Sequence, residues 1–177
     1  AADLLSQAEH DADAQVVLIS PSDEFLNAVE AELERQLASL PRMAIARASL
    51  EQARFIKVRD VEEAIDVANL YAPEHLSLVV REVTDAIARV RNAGAVFLGR
   101  YAAESYGDYI AGPSHVLPTD GAARSWGGVT TASFMKSFTI QEIDAQGVRS
   151  VAPIAARLAR LEGLEAHARA AEMRVAA

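Results

Sequence analysis

The sequence predicts an α/β fold: a mostly parallel sheet flanked by helices, followed by a small C-terminal helical tail. Three observations carry this. Continuous apolar runs such as Val16-Val17-Leu18-Ile19-Ser20 and Ala95-Val96-Phe97-Leu98-Gly99 have the make-up of strands buried on both faces. They alternate with segments of helical periodicity, the order expected of parallel strands joined by helices. Past residue 128 the strand signals stop and only helical patterns remain.

The elements follow in order. Residues 1–10 read as helix with no capping residue before it, as in a chain cut from something longer or one that begins abruptly. After the strand at 16–20, Pro21-Ser22-Asp23-Glu24 opens a helix with Ser22 as its N-cap. Phe25, Leu26, Val29, Leu33, Leu37 and Leu40 continue it at helical spacing. A second strand falls at 54–58. Asp60-Val61-Glu62-Glu63 starts the next helix like a capping box with Asp in first place, and that helix runs to about Tyr71. A strand at 76–80, a helix at 84–92 with Gly94 set to end it, and a strand at 95–99 complete the series. From 100 to 128, glycines, prolines, hydroxyls and aromatics show no period. This predicts a long loop, ordered by Tyr101, Tyr106, Tyr109 and Trp126; loops of that length inside compact domains are functional or disordered. Helices at 131–138, 148–160 and 164–175 make the tail. The expected division is an α/β domain with its loop over 1–128 and a helical tail over 129–177. So short a tail cannot bury a core of its own, so it is expected to pack on the α/β part or on another chain.

Composition narrows the chemistry. A chain of 177 residues, 51% hydrophobic and 24% charged, has the length and make-up of one globular domain plus an appendage. A net charge of −8 argues against a general nucleic-acid binder, which needs a basic face. The absence of cysteine excludes disulfides, thiolate metal sites and thiol nucleophiles, and fits a reducing, cytoplasmic compartment. No apolar run approaches the roughly 18 residues of a membrane span, so no membrane partner is expected. Catalysis is left to histidines, carboxylates, hydroxyls or a metal.

Only four histidines are present, and each has polar company. In Gln7-Ala8-Glu9-His10 the Gln and His fall on one helix face, where amide oxygen and imidazole could converge on one ion. Taken alone, the pair reads first as a solvated helix end. Ala72-Pro73-Glu74-His75-Leu76 is a turn from helix to strand, where adjacent Glu and His could share proton transfer or simply face solvent. His115 belongs to the long loop, in Gly112-Pro113-Ser114-His115-Val116-Leu117-Pro118-Thr119, and Asp108 of the same loop is a candidate hard oxygen ligand. His167, in Glu162-Gly163-Leu164-Glu165-Ala166-His167, lies on an Ala-rich helix where a histidine is ordinarily surface decoration. Together Gln7, His10, Asp108 and His167 offer two imidazoles and two hard oxygens, a set suited to Zn²⁺ or Mn²⁺. Scattered along the chain, they support a possible metalloenzyme and no more.

Four blocks resemble the C-terminal half of histidinol dehydrogenase: Asp3-Leu4-Leu5-Ser6-Gln7-Ala8-Glu9-His10; Pro73-Glu74-His75-Leu76; Gly107-Asp108-Tyr109 with Gly112-Pro113-Ser114-His115-Val116-Leu117-Pro118-Thr119; and Glu162-Gly163-Leu164-Glu165-Ala166-His167. They stand in the family's order and span essentially the whole chain. The resemblance implies oxidation of L-histidinol to L-histidine through the aldehyde, in two NAD-dependent steps. It implies one zinc per site, or manganese, held by Gln7, His10, Asp108 and His167. Glu74 and His75 become the catalytic proton-transfer pair. Substrate contacts become His115 and Glu162, joined by His75 and the metal ligands Gln7, His10, Asp108 and His167. It further implies an intertwined homodimer in which His167 and Glu162 serve the partner's site.

One departure stands out. No G-x-G-x-x-G follows any predicted strand, so the α/β part reads as an incomplete Rossmann-like domain. NAD contacts are expected mostly in an N-terminal half that this sequence lacks, present as a separate chain, cleaved or absent. Two other readings stay open: a related NAD-dependent dehydrogenase acting on another amino or sulfonated alcohol, and an inactive remnant serving as a dimerisation module.

Overall fold

The computed structural model describes residues 1–175 and divides into two compact units, Ala1–Phe134 and a second beginning at Met135. The first unit is α/β. Helix α1, Ala2–Ala8, turns Leu5 and Ala8 inward. Strand β1, Val17–Ser20, pairs in parallel with β2, Arg54–Lys57, Val17 lying opposite Arg54. Between them α2 spans Asp23–Leu37, and the Ser22 hydroxyl accepts from the Phe25 N–H at 3.1 Å, the cap its sequence predicts. Leu26, Val29, Leu33 and Leu37 form its buried stripe.

A second helix before β2, α3 at Met43–Leu50, has no counterpart among the predicted elements. Its N-cap, Arg42, makes no side-chain cap, so no local signal marks its start. It is fixed from outside: the buried Ser49 hydroxyl donates to the Ala14 carbonyl at 2.7 Å.

Helix α4, Val61–Tyr71, begins where Asp60 accepts from the Glu63 N–H at 2.8 Å, while the Glu63 carboxylate reaches back to the Arg59 N–H at 2.7 Å. It ends at Ala72, which takes a left-handed conformation (φ 58°) and turns the chain into β3, His75–Leu78. Strand β3 therefore starts one residue before the predicted 76–80 and leaves Val79 and Val80 outside the ladder. It pairs in parallel with β4, Ala95–Leu98, with His75 opposite Ala95. Among the described residues all the strand pairing is parallel, in two separate two-stranded sheets, β1–β2 and β3–β4.

The helix predicted at 84–92 is the short α5, Val83–Ile87. Asn69 stops it: its amide oxygen accepts from the N–H groups of Arg91 and Asn92 at 2.7 and 3.2 Å, and its NH₂ donates to the Arg89 carbonyl at 3.0 Å. These backbone groups are therefore satisfied outside a helix. Within the predicted loop lies α6, Glu104–Tyr109. At 131–138 the expected helix shrinks to a 3₁₀ turn, Thr131–Phe134, where the Ser133 hydroxyl accepts from the Thr130 N–H at 3.1 Å and competes with a regular helical ladder.

The second unit holds α7, Ala145–Leu161, capped by Asp144 through the Gly147 N–H at 2.6 Å, and α8, Glu165–Met173. The two pack on each other, with Ala152, Ala156 and Ala168 buried. Arg160 bridges them, paired with Glu165 at 3.0 Å and Glu172 at 2.7 Å. Among the described residues no helix is long and apolar enough to cross a membrane.

Candidate metal and proton-transfer site

Two helices bring polar groups to one point of the first unit. Helix α1 presents Gln7 in its last turn, and the chain carries on helically long enough for the His10 N–H to donate to the Gln7 carbonyl at 3.1 Å, so both side chains follow from one turn of backbone. Helix α6 presents Glu104 and Asp108 four residues apart, hence on one face. One ligating atom each from His10, Glu104 and Asp108 lie within 4.8 Å of one another. The Gln7 Nε2 donates to Glu104 Oε1, which ties the fourth side chain to the group.

The α6 face reaches this point because Gly107 allows it. A Cβ on Gly107 would meet the Phe97 ring of β4 at 2.9 Å, so any larger residue would lift the helix from the strand. The Phe97 ring in turn lies 6.0 Å from the His75 imidazole, tilted by 43°. His75 is the first residue of β3, and its backbone is pinned from beside. Ala95 donates to the Glu74 carbonyl at 2.8 Å and Gly94 to the Pro73 carbonyl at 2.9 Å. A Cβ on Gly94 would stand only 2.6 Å from the Glu74 oxygen. Gly94, predicted as a helix stop, thus serves the close approach that holds Glu74 and His75.

The electrostatics follow from burial. Glu104 is buried, and desolvation first, then the neighbouring Asp108 charge, pushes its carboxyl up to about 7 against the opposing effect of the Gln7 hydrogen bond. The His75 Nδ1 faces Glu104 Oε1 at 3.7 Å, in ion-pair range but beyond a hydrogen bond. Burial lowers the His75 imidazole from its ordinary value, with Glu74 and Asp108 pulling the other way and His10 adding to the fall. With Nδ1 turned toward a carboxyl oxygen, Nε2 is the nitrogen left to take a proton from a reactant. That Nε2 is buried without a hydrogen-bond partner, as suits an atom whose partner is a reactant.

Of the residues singled out from the sequence, Gln7, His10 and Asp108 are gathered around Glu104, and His75 lies against the same carboxylate. Glu74 precedes His75, half-buried. His115 is exposed in the irregular segment after α6 and takes no part in the cluster. Glu162 caps the end of α7 and His167 lies on α8, both exposed, in the second unit. Sequence reasoning missed Glu104 entirely. Its signal was the four-residue spacing to Asp108, hidden because the stretch reads as loop. An imidazole with carboxylate and amide oxygens is a donor set that fits Zn²⁺ or Mn²⁺, with no soft ligand among them.

Comparison with known proteins bears on this site. The sequence profile of histidinol dehydrogenases matches residues 1–175. A histidinol dehydrogenase of Xanthomonas oryzae pv. oryzae is 53% identical over 175 residues, covering 99% of this chain and 41% of the relative. One from Thermus thermophilus is 49% identical, covering 98% of this chain and 42% of the relative. The crystal structure of histidinol dehydrogenase from Elizabethkingia anophelis superposes with a TM-score of 0.95 at 42% identity, over 98% of this chain and 40% of that one. The chain thus spans about two-fifths of the length of the relatives it matches.

Proposed function

Because the chain belongs to the histidinol dehydrogenase family, we propose that it forms the metal- and substrate-binding part of an enzyme that oxidises L-histidinol to L-histidine through the aldehyde, a step of histidine biosynthesis. The observation that carries this reading is the convergence of Gln7, His10 and Asp108 beside the half-buried imidazole of His75. Gln7, His10, Asp108 and His167 would hold the zinc, which when bound supplies a positive centre that fixes the imidazole and amine of the substrate. NAD, when bound, would supply the two-electron oxidant for each of the two steps. No residue of this chain is assigned to it, since among the described residues none of the four strands runs into a glycine-rich phosphate turn.

The work of the chain's own residues is proton transfer and orientation. His75, with Nδ1 turned to Glu104, takes the hydroxyl proton of the alcohol on Nε2 as the first oxidation proceeds. Glu74 removes a proton from water attacking the aldehyde, giving the hydrate that the second oxidation consumes. His115 and Glu162 contact the substrate, and an acid opposite the substrate's cationic end would reject alcohols that lack it. His167 and Glu162 are assigned to the partner's site in an intertwined homodimer, which makes dimerisation a condition of metal binding. The protein acts in the cytoplasm, without nucleic acid or membrane as a partner.

The experiment is NADH production by the intact protein from L-histidinol and from a panel of amino and sulfonated alcohols, alongside elemental analysis for zinc. The expected result is histidinol-specific turnover with about one zinc per site. Turnover of another alcohol in preference, or zinc-free protein of full activity, would overturn the reading.

A further inference from the structure

We propose that Glu104 is a positioning residue that decides which end of the Gln7 amide faces the metal. The inference rests on the zinc site proposed above. A glutamine amide has two ends of nearly the same shape: an oxygen that can ligate a cation, and an NH₂ that can only donate hydrogen bonds. Packing alone therefore does not choose between them. Glu104 chooses. Its Oε1 accepts from Gln7 Nε2, so the NH₂ is engaged and Oε1 of the amide is the end left free. Glu104 itself has little freedom, being buried on a helix that Gly107 seats against the Phe97 ring. The same Oε1 faces His75 Nδ1 at 3.7 Å, so one carboxylate oxygen stands between a metal ligand and the proton-transfer imidazole. Glu104 also lies close enough to His10 and Asp108 to ligate directly, and the test must separate the two roles.

The experiment is equilibrium competition for Zn²⁺ between a chelator and the intact protein, wild type against Glu104→Ala, Glu104→Gln, Gln7→Ala and the Glu104→Ala/Gln7→Ala pair. Loss of an orienting partner typically weakens metal binding about 10–100-fold, and Glu104→Ala is expected to do so. Added to Gln7→Ala, it should weaken zinc no further, because Glu104 acts through Gln7. Glu104→Gln should recover part of the affinity, since its amide oxygen can still accept from Gln7 while its NH₂ can equally hold the Gln7 amide the other way round. If the two alanine losses multiply, or Glu104→Gln is as weak as Glu104→Ala, Glu104 is a ligand or a general support and the proposal fails. It fails also if Glu104→Ala binds zinc like wild type. Melting temperatures of the metal-free variants identify a merely structural effect, which would lower them in step with affinity in both backgrounds. Wild-type protein that binds no zinc would sink the proposed function itself, a distinct result.

Discussion

The two strand pairs of the first unit share a plan, parallel strands with helices laid against them, and are filled differently. Behind β1–β2 stands a continuous aliphatic cluster of Leu5, Ala8, Val16, Val29, Leu33, Leu37 and Ala46. Behind β3–β4 the cluster of buried apolar residues is only Ile65, Leu78 and Ala86. The ionisable groups go the other way: β3 carries the half-buried His75, and β4, through Phe97 and Gly107, holds the helix that carries the buried Glu104. Buried groups of this kind cost stability unless partnered. One half supplies packing and the other spends part of its interior on polar groups held for chemistry, in keeping with functional regions being drawn from the less stable parts of a fold.

That contrast can be broken by substitution. Leu37 is fully buried in the larger cluster, so Leu37→Ala should cost about 2–5 kcal/mol in chemical denaturation of the intact protein. A loss under about 1 kcal/mol would mean the cluster can collapse around the gap and does not anchor this half of the unit. Gly107→Ala tests the other half. It should push α6 from Phe97 and lower zinc affinity and turnover by about 10–100-fold, because misplacement of an ångström is enough to disrupt a site. Its effect on the melting temperature should be the smaller one; equal damage to both would erase the distinction between the halves.

Ile65→Val in the smaller cluster should cost about 0.5–1.5 kcal/mol by the same denaturation measurement. A much larger loss would show that this half leans on its few apolar contacts more than their number suggests. The smallest effect is expected in the second unit, whose polar network is exposed instead of buried. There Arg160 holds Glu165 and Glu172 below their ordinary value of 4.5. Carboxyls lowered in the folded state bind fewer protons there than when unfolded, so their help is present above about pH 4.5 and fades as pH falls below it. Arg160→Ala should therefore flatten slightly the acid side of a circular-dichroism melting series, with little change near neutrality. Solvent-exposed ion pairs contribute little. A large loss at neutral pH would contradict that view of the network.

Much of the fold was legible because its signals are local. Ser22 and Asp60 cap the helices they were expected to cap, through bonds to residues only three positions away. The strands expected at 16–20, 54–58, 76–80 and 95–99 formed as parallel strands within a residue or two of those bounds. The site was legible in a different way. Its donor types could be listed from composition, but the grouping of Gln7, His10 and Asp108 and the pairing of Glu74 with His75 came from resemblance to a family, since spacing alone left each open.

What the sequence by itself determined is the class of fold, the helix starts marked by caps, and an inventory of imidazoles and hard oxygens without a thiol. Tertiary structure alone decided that Asn69 would halt α5 across 22 positions, that Ser49 would fasten the unheralded α3 to Ala14, and that Glu104 would meet Gln7 across 97. The physical reason is the range of the interactions. A cap or a periodic stripe is settled within a few residues of backbone, whereas the partner of a buried polar group is whichever residue the completed packing brings within about 3 Å of it.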